Sequence, residues 1–447
     1  MTTETRTRSF LFTAVLACGS LSFGLPVGLT GPLASLKPLN LCLPPEFRED
    51  VKSFTLFSSI LNIGAMFGAI SGGVIADKLG RRGAFIVACI VSIIGSCGII
   101  FGSVMWVLNA GRWDFSHFCY VVVFKACCRF VNGFSVGLFS LLVPMYISEI
   151  APTSLRGLMG TCHALGITVG ITIAIALGLP IADNLEWWRY VATISTTPVF
   201  VLLLGFIFYV PETPRWLLSQ GRVPQALEAL KRLRGSTFDA DAEMKQLQHA
   251  QQETAEQSGP SSIVQQFQVL FSLQYRRPIF IALGLQLTQQ ATGINGVLFF
   301  LGDLFSGAST TCDSDEVRSA IRYSILGGCI NVLGTVFSLF VTEKAGRRLL
   351  LSSSLAGMGG FLAMGGCAIW FGWASVAQKV AVLVYIFCFA FGCGPVPWIM
   401  MSEVMPTRIR GPAMSLGTLS NWFLCGPAPF IPNGYIVMFF AVPSSLS

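Results

Sequence analysis

The sequence predicts an all-α membrane protein built as two repeated helix bundles, the first of six spans and the second of about five, joined by a helical linker. Three observations carry this reading. Of the 447 residues, 53% are hydrophobic and only 11% are charged, whereas a soluble domain carries roughly 25% charged residues; too little charge remains to cover a water-facing surface. The apolar residues fall in long runs that match the about 20 needed to cross the hydrocarbon core. Finally, the segments on either side of one hydrophilic stretch repeat the same motifs in the same order.

Taken in chain order, residues 1–210 supply six candidate spans, near 9–31, 53–76, 83–105, 118–147, 157–179 and 188–209. The first apolar run is too long for a cleaved signal and is taken as a span. The fourth contains Lys125 and Arg129, which weakens its apolar signal. Residues 211–276 are hydrophilic. Leu227, Leu230 and Leu233 recur there at helical spacing, a polar run follows, and Ser258-Gly259-Pro260-Ser261 makes a flexible break. This reads as short amphipathic or polar helices on one membrane surface. Residues 277–447 supply spans near 278–302, 321–342, 349–370, 380–401 and 412–438, the last interrupted by Pro427, Pro429 and Pro432.

With the N-terminus in the cytoplasm, inner segments hold 19 of the Lys and Arg residues and outer loops hold six. Inner loops carry the excess positive charge, so the net charge of +7 is a topology signal and leaves no nucleic-acid footprint. Most of the 14 cysteines lie within apolar runs, as Cys89, Cys97, Cys127, Cys128, Cys329 and Cys388 do, where they read as small packing residues. Cys42 and Cys312 both fall in outer loops and are a candidate disulfide pair. No phosphate-loop motif occurs, which excludes ATP-driven pumping by that device. No metal cluster or Ser/His/Asp grouping suggests enzyme chemistry, and no cofactor is expected.

Two motifs recur. Ser148-Glu149-x-x-Pro152-Thr153-x-x-Arg156-Gly157 returns as Ser402-Glu403-x-x-Pro406-Thr407-x-x-Arg410-Gly411, and Asp77-x-x-Gly80-Arg81-Arg82 returns as Glu343-x-x-Gly346-Arg347-Arg348. Repeated halves around a central site suit alternating access, in which one half rocks against the other.

Together with Arg129 in C-R-F-V-N-G, P-E-T-P-R-W at 211–216, Q-L-T-Q-Q-A-T-G-I-N at 286–295 and G-P-V-P-W at 394–398, these motifs resemble the sugar-porter family of the major facilitator superfamily. The likeness runs from about residue 15 to 422 and is greatest to the facilitative glucose transporters. It implies a major facilitator fold, a hexose-type sugar as the small-molecule partner, a lipid bilayer around it, and a monomer in the plasma membrane.

The charged motif residues Asp77, Arg81, Arg82, Arg129, Glu149, Arg156, Glu343, Arg347, Arg348, Glu403 and Arg410 are candidates for a cytoplasmic gate of ion pairs between the bundles. Their spacing alone is equally met if they only stop helices at the headgroups; the resemblance implies gating. Each exposed pair is worth about 0–1 kcal/mol, yet a network biases an equilibrium of a few kcal/mol.

The candidate sugar site rests on polar groups within apolar helices. Gln286, Gln289 and Gln290 share one helix face, and Asn295 follows Gly293, where the helix can loosen. Amides donate and accept, as hydroxyls do; a lone amide could equally bond a neighbouring helix. Asn331 and Asn421 add to the set, Trp398 and Trp422 offer apolar ring faces, and the resemblance implies Phe23, Ile167, Ile171 and Phe389 as cavity lining.

Two positions depart from the family. Ala164 follows His163 where Gln is usual, and Ala390 stands where many animal glucose transporters have Glu. Pro26 occupies the position of the Asp that proton-coupled members carry, and no acid lies at mid-span. Facilitated diffusion is therefore expected, with His163 as the one possible proton carrier. After Trp422 the sequence has only 25 residues, where the family would continue through a twelfth span; a missing or disrupted last span is expected. The alternatives are proton-coupled transport of a sugar or polyol such as inositol or a pentose, and an inactive truncated product or sugar sensor.

Overall fold

The computed structural model describes residues 3–29, 51–108, 115–179, 187–235, 238–256, 270, 272–306, 314–371, 375–405 and 409–425. In the N-terminal half these form α1 (Thr3–Gly28), α2 (Val51–Leu108), α3 (Phe115–Ile150), α4 (Arg156–Gly178) and α5 (Trp187–Phe208). The linker contributes α6 (Pro214–Ser219), α7 (Val223–Arg234) and α8 (Ala240–Glu256). The C-terminal half contributes α9 (Arg276–Ala291), α10 (Ile294–Ser306), α11 (Ser314–Ala345), α12 (Arg347–Trp370), α13 (Ser375–Cys388), α14 (Val396–Val404) and α15 (Arg410–Cys425). Among the described residues, seven helical stretches are long and apolar enough to cross a membrane, and Thr193–Phe208 is a shorter apolar helix.

The spans expected at 53–76 and 83–105 are two helices within α2, parted at Gly80 with φ of 82°. Only glycine adopts that conformation without strain, and a Cβ there would also sit 2.3 Å from a Glu212 carboxylate oxygen. The span expected at 278–302 is likewise two helices, parted at Gly293 with φ of 78°.

The span expected at 380–401 runs over Val376–Val404, but not as a regular α-helix throughout. A π-turn at Phe389–Cys393 interrupts it, and Pro395 and Pro397 start α14. Proline withholds an N–H from the ladder, and Ser354 of α12 repairs part of the break. Its hydroxyl donates to Cys388 O at 2.7 Å and accepts from the Cys393 N–H at 2.9 Å.

In lipid no hydrophobic effect draws helices together, so close packing must. Glycine pairs at four-residue spacing provide it. Gly64 and Gly68 of α2 lie against Gly133 and Gly137 of α3 so closely that a Cβ at Gly68 would reach 2.1 Å from Phe134 O. Gly24 of α1 meets Gly170 and the Ile167 carbonyl of α4 in the same way.

The linker docks on the N-terminal half. Ala226, Ala229, Leu230 and Leu233 of α7 are buried. Arg234 at its end pairs with Glu243 at 2.8 Å and donates to Ile150 O at 2.7 Å. From α1, Thr5 donates to Arg234 O at 2.7 Å and Arg8 to Arg232 O at 2.9 Å; from α3, Tyr146 donates to Pro211 O at 2.6 Å.

The halves meet along α15. Ser415 accepts from the Gly73 N–H, the Trp422 indole donates to Ser140, and the Cys425 carbonyl accepts from Asn62, each at 3.2 Å. Ile175 of α4 also packs on Ile321 of α11. The expected pair Cys42 and Cys312, the break at 258–261 and the chain beyond Cys425 lie outside the described residues.

Candidate functional site

The amides of α9 converge on α15. The face shared by Gln286, Gln289 and Gln290 points at Asn421, whose Nδ2 donates to Gln286 Oε1 at 2.7 Å and to Gln289 Oε1 at 2.8 Å. Its Oδ1 accepts from Gln290 Nε2 at 2.9 Å. Asn295, just past the break at Gly293, donates to Gln290 Oε1 and lies 3.3 Å from Cys425 Sγ. Gln289 Nε2 also donates to the Cys393 and Gly394 carbonyls at 3.0 and 2.7 Å, which satisfies acceptors freed by the π-turn.

An aromatic group borders this network at the seam between halves. The Phe23 ring of α1 lies 5.4 Å from Trp422 and 6.4 Å from Trp398, edge-on to the latter. His163 of α4 lies 6.0 Å from Trp398 and 6.4 Å from Phe23. The network side chains are amides and its border is aromatic. Such a surface offers donors, acceptors and ring faces, the complement of a hydroxyl-bearing ring.

Not every expected site residue joins the group. Asn331 is buried on α11 with its Oδ1 lacking a hydrogen-bond partner. Phe389 packs in the core of the C-terminal half with Ile294, Tyr385 and Ile386. Ile167 borders the main core, and Ile171 lies at the α4–α11 seam. Sequence reasoning missed Ser140, Cys425 and the carbonyls of Cys393 and Gly394. A serine or cysteine in an apolar helix carries no signal of its partner, and a carbonyl carries none at all.

The second candidate site is the charged face, where the repeated motifs meet. Arg81 pairs with Glu149 at 2.9 Å and with Asp77 at 3.2 Å. In the other half Arg347 pairs with Glu403 at 3.2 Å and approaches Glu343 at 3.7 Å. Among the described residues these pairs lie within a half, while between the halves Arg410 attracts Glu149. The approach between halves is made by small residues: a Cβ on Gly157 would meet Glu343 at 2.1 Å, and one on Gly411 would meet Asp77 at 2.9 Å. Arg156 and Arg410 each keep a buried Nε without a hydrogen-bond partner there, and Arg348 is exposed.

Two of the expected gate residues do something else. Arg82 donates to the Phe206 and Ile207 carbonyls, both at 2.7 Å, and so caps the end of α5, where a cation suits the helix dipole. Arg129 lies 20 residues before Glu149 on α3, about 30 Å along the helix, and donates to Pro26 O at 2.9 Å. It belongs to the opposite end of the molecule.

Glu212 links this face to the linker. Its carboxylate accepts the backbone N–H groups of Arg81 and Arg82, each at 2.9 Å, bracing the turn at Gly80. Burial pushes its pKa up, against the pull of those N–H groups and of Thr213. Burial lowers the pKa of neighbouring Arg215, partly offset by Glu149.

The family profile described as Sugar (and other) transporter matches residues 12–426. Sugar transporter ERD6-like 6 of Arabidopsis thaliana is 33% identical over 420 residues, covering 92% of this chain and 78% of that one. Facilitated glucose transporter member 2 of Sus scrofa is 32% identical, covering 87% and 73%. The proton:xylose symporter XylE bound to 6-bromo-6-deoxy-D-glucose superposes with a TM-score of 0.81 at 25% identity, covering 97% of this chain and 91% of that one. The apolar helices, the seam between two halves and this match over nearly the whole length lead to one conclusion: the chain belongs to the sugar transporter family of the major facilitator superfamily, and is a multi-pass membrane transporter, not an enzyme.

Proposed function

We propose that this chain carries a hexose such as glucose by facilitated diffusion, through alternating access of a site between an N-terminal bundle (1–210) and a C-terminal bundle (277–447) joined by a cytoplasmic linker (211–276). The observation that carries the reading is the amide network of Gln286, Gln289, Gln290, Asn295 and Asn421 beside Phe23, Trp398 and Trp422. An entering sugar would exchange amide–amide bonds for amide–hydroxyl bonds while its C–H faces lie on the aromatic rings. Asn331, Ile167, Ile171 and Phe389 complete the proposed wall of the site.

The charged face is the proposed cytoplasmic gate, with the N-terminus on that side and the plasma membrane as the location. Its ion pairs stiffen each half, and the close approaches at Gly73, Gly157 and Gly411 are what separate when the gate opens. Arg82 and Arg129 stand outside that device in this proposal.

Two relatives point to different energetics by name, one a facilitated glucose transporter and one a proton:xylose symporter. The passive reading is favoured by Pro26, whose backbone carbonyl, not a titratable side chain, receives Arg129. The test is counterflow in liposomes with no ion gradient. Preloaded D-glucose should drive transient uptake of labelled D-glucose but not of L-glucose; no counterflow with correctly inserted protein would reject the proposal.

A further inference from the structure

A buried polar atom without a partner calls for an explanation, and one sits on the seam. His163 is 1% exposed. Its Nδ1 lies 2.8 Å from the Ser20 hydroxyl of α1, whereas its Nε2 is buried and has no hydrogen-bond partner. The ring lies between Phe23 of the same half and Trp398 of the other. Phe23 in turn touches Trp422, the neighbour in sequence of Asn421 at the centre of the amide network. The amides all come from the C-terminal half, and the next residue after His163 is Ala164, so the N-terminal wall lacks an amide here.

We propose that His163 is a specificity-determining ligand of the transported sugar, its Nε2 accepting a hydrogen bond from one sugar hydroxyl. This rests on the hexose reading above. The Ser20 hydroxyl lies 2.8 Å from Nδ1 and 3.4 Å from Leu16 O. In the tautomer proposed here its proton turns to that carbonyl and its oxygen accepts from the Nδ1–H of the imidazole. The opposite nitrogen is then the unprotonated one. A site with a bare acceptor selects a group that can donate. It rejects an analogue without that proton, because the acceptor is left buried and unpaired.

The test is binding of D-glucose, its single-position deoxy and deoxyfluoro analogues, D-xylose and myo-inositol to purified transporter, read by thermal shift and tryptophan fluorescence. Fluorine replaces a hydroxyl in size but cannot donate. In the wild type, deoxy and fluoro sugars modified at one shared position should both bind about tenfold more weakly than D-glucose. His163→Ala should erase that difference at that position alone. Ser20→Ala frees the tautomer and should restore part of the fluoro sugar's affinity. Should His163→Ala fail to fold, His163→Gln keeps a polar end that can donate, and should accept the fluoro sugar while keeping D-glucose.

Deoxy and fluoro penalties that are unchanged in the histidine variants would overturn this inference while leaving the hexose reading in place. The same holds for a fluoro sugar that already binds the wild type as well as D-glucose does. A folded wild type that binds none of these sugars would overturn both together.

Discussion

Replacing Asn421 tests the amide network at its hub. The side chain makes bonds to Gln286, Gln289 and Gln290 at 2.7, 2.8 and 2.9 Å. Asn421→Leu keeps roughly the volume and removes all three of those bonds. Side-chain hydrogen bonds in membrane proteins average about 0.6 kcal/mol and reach about 1.7, so the loss should be about 2–5 kcal/mol. Part of it should appear as a lower unfolding temperature in detergent without sugar, and part as weaker binding, at about 1.4 kcal/mol per tenfold. D-Glucose affinity should fall by at least about tenfold in binding and uptake. Asn421→Asp is the control: its oxygens can still accept if the Gln286 and Gln289 amides turn over, so it should lose less stability than Leu. Unchanged thermal stability and unchanged affinity in Asn421→Leu would refute the reasoning.

Three other outcomes follow from the charged face and the linker. Gly73→Ala places a Cβ 2.9 Å from the Gly411 carbonyl and 2.5 Å from Ser415 Oγ. Such overlap is worth about 1–3 kcal/mol; spin-label distances across that face should shift toward the open population, and an unchanged distribution would contradict the closed seam. Tyr146→Phe removes the bond to the buried Pro211 carbonyl, and unfolding should become easier by about 1–3 kcal/mol; no change would mean the linker does not dock there. Glu212 has a raised pKa in the fold, so the folded state binds its proton more tightly than the unfolded one, and stability from this group falls as pH rises past the ordinary value of 4.5. The unfolding temperature of wild type minus that of Glu212→Gln should accordingly decline with rising pH, and a difference that grows would reverse the sign.

The spans were legible because lipid demands long apolar runs, and Gly293 announced the break between α9 and α10. The α9 amides were legible too, since i, i+3 and i+4 spacing fixes a shared helix face. Spacing does not say what that face meets, so the pairing with Asn421 emerges only in three dimensions. The π-turn at 389–393 hid within an apolar run because its repair comes from Ser354, 39 residues before Cys393. The repeated motifs suggested ion pairs between halves, yet Arg81 and Arg347 find carboxylates within their own half. Repetition shows that two ends are alike, and not which partner each one takes. Arg129 misled for a simpler reason: its motif neighbours are not its neighbours in depth along α3.

The central claim, passive carriage of a hexose, is tested most directly by uptake of labelled D-glucose in cells lacking their own hexose carriers, with L-glucose as control, with and without a protonophore. Saturable uptake of the D-sugar alone, unaltered by the protonophore, is the predicted result. Uptake abolished by the protonophore would contradict the passive mechanism, and no uptake despite normal surface expression would contradict the hexose.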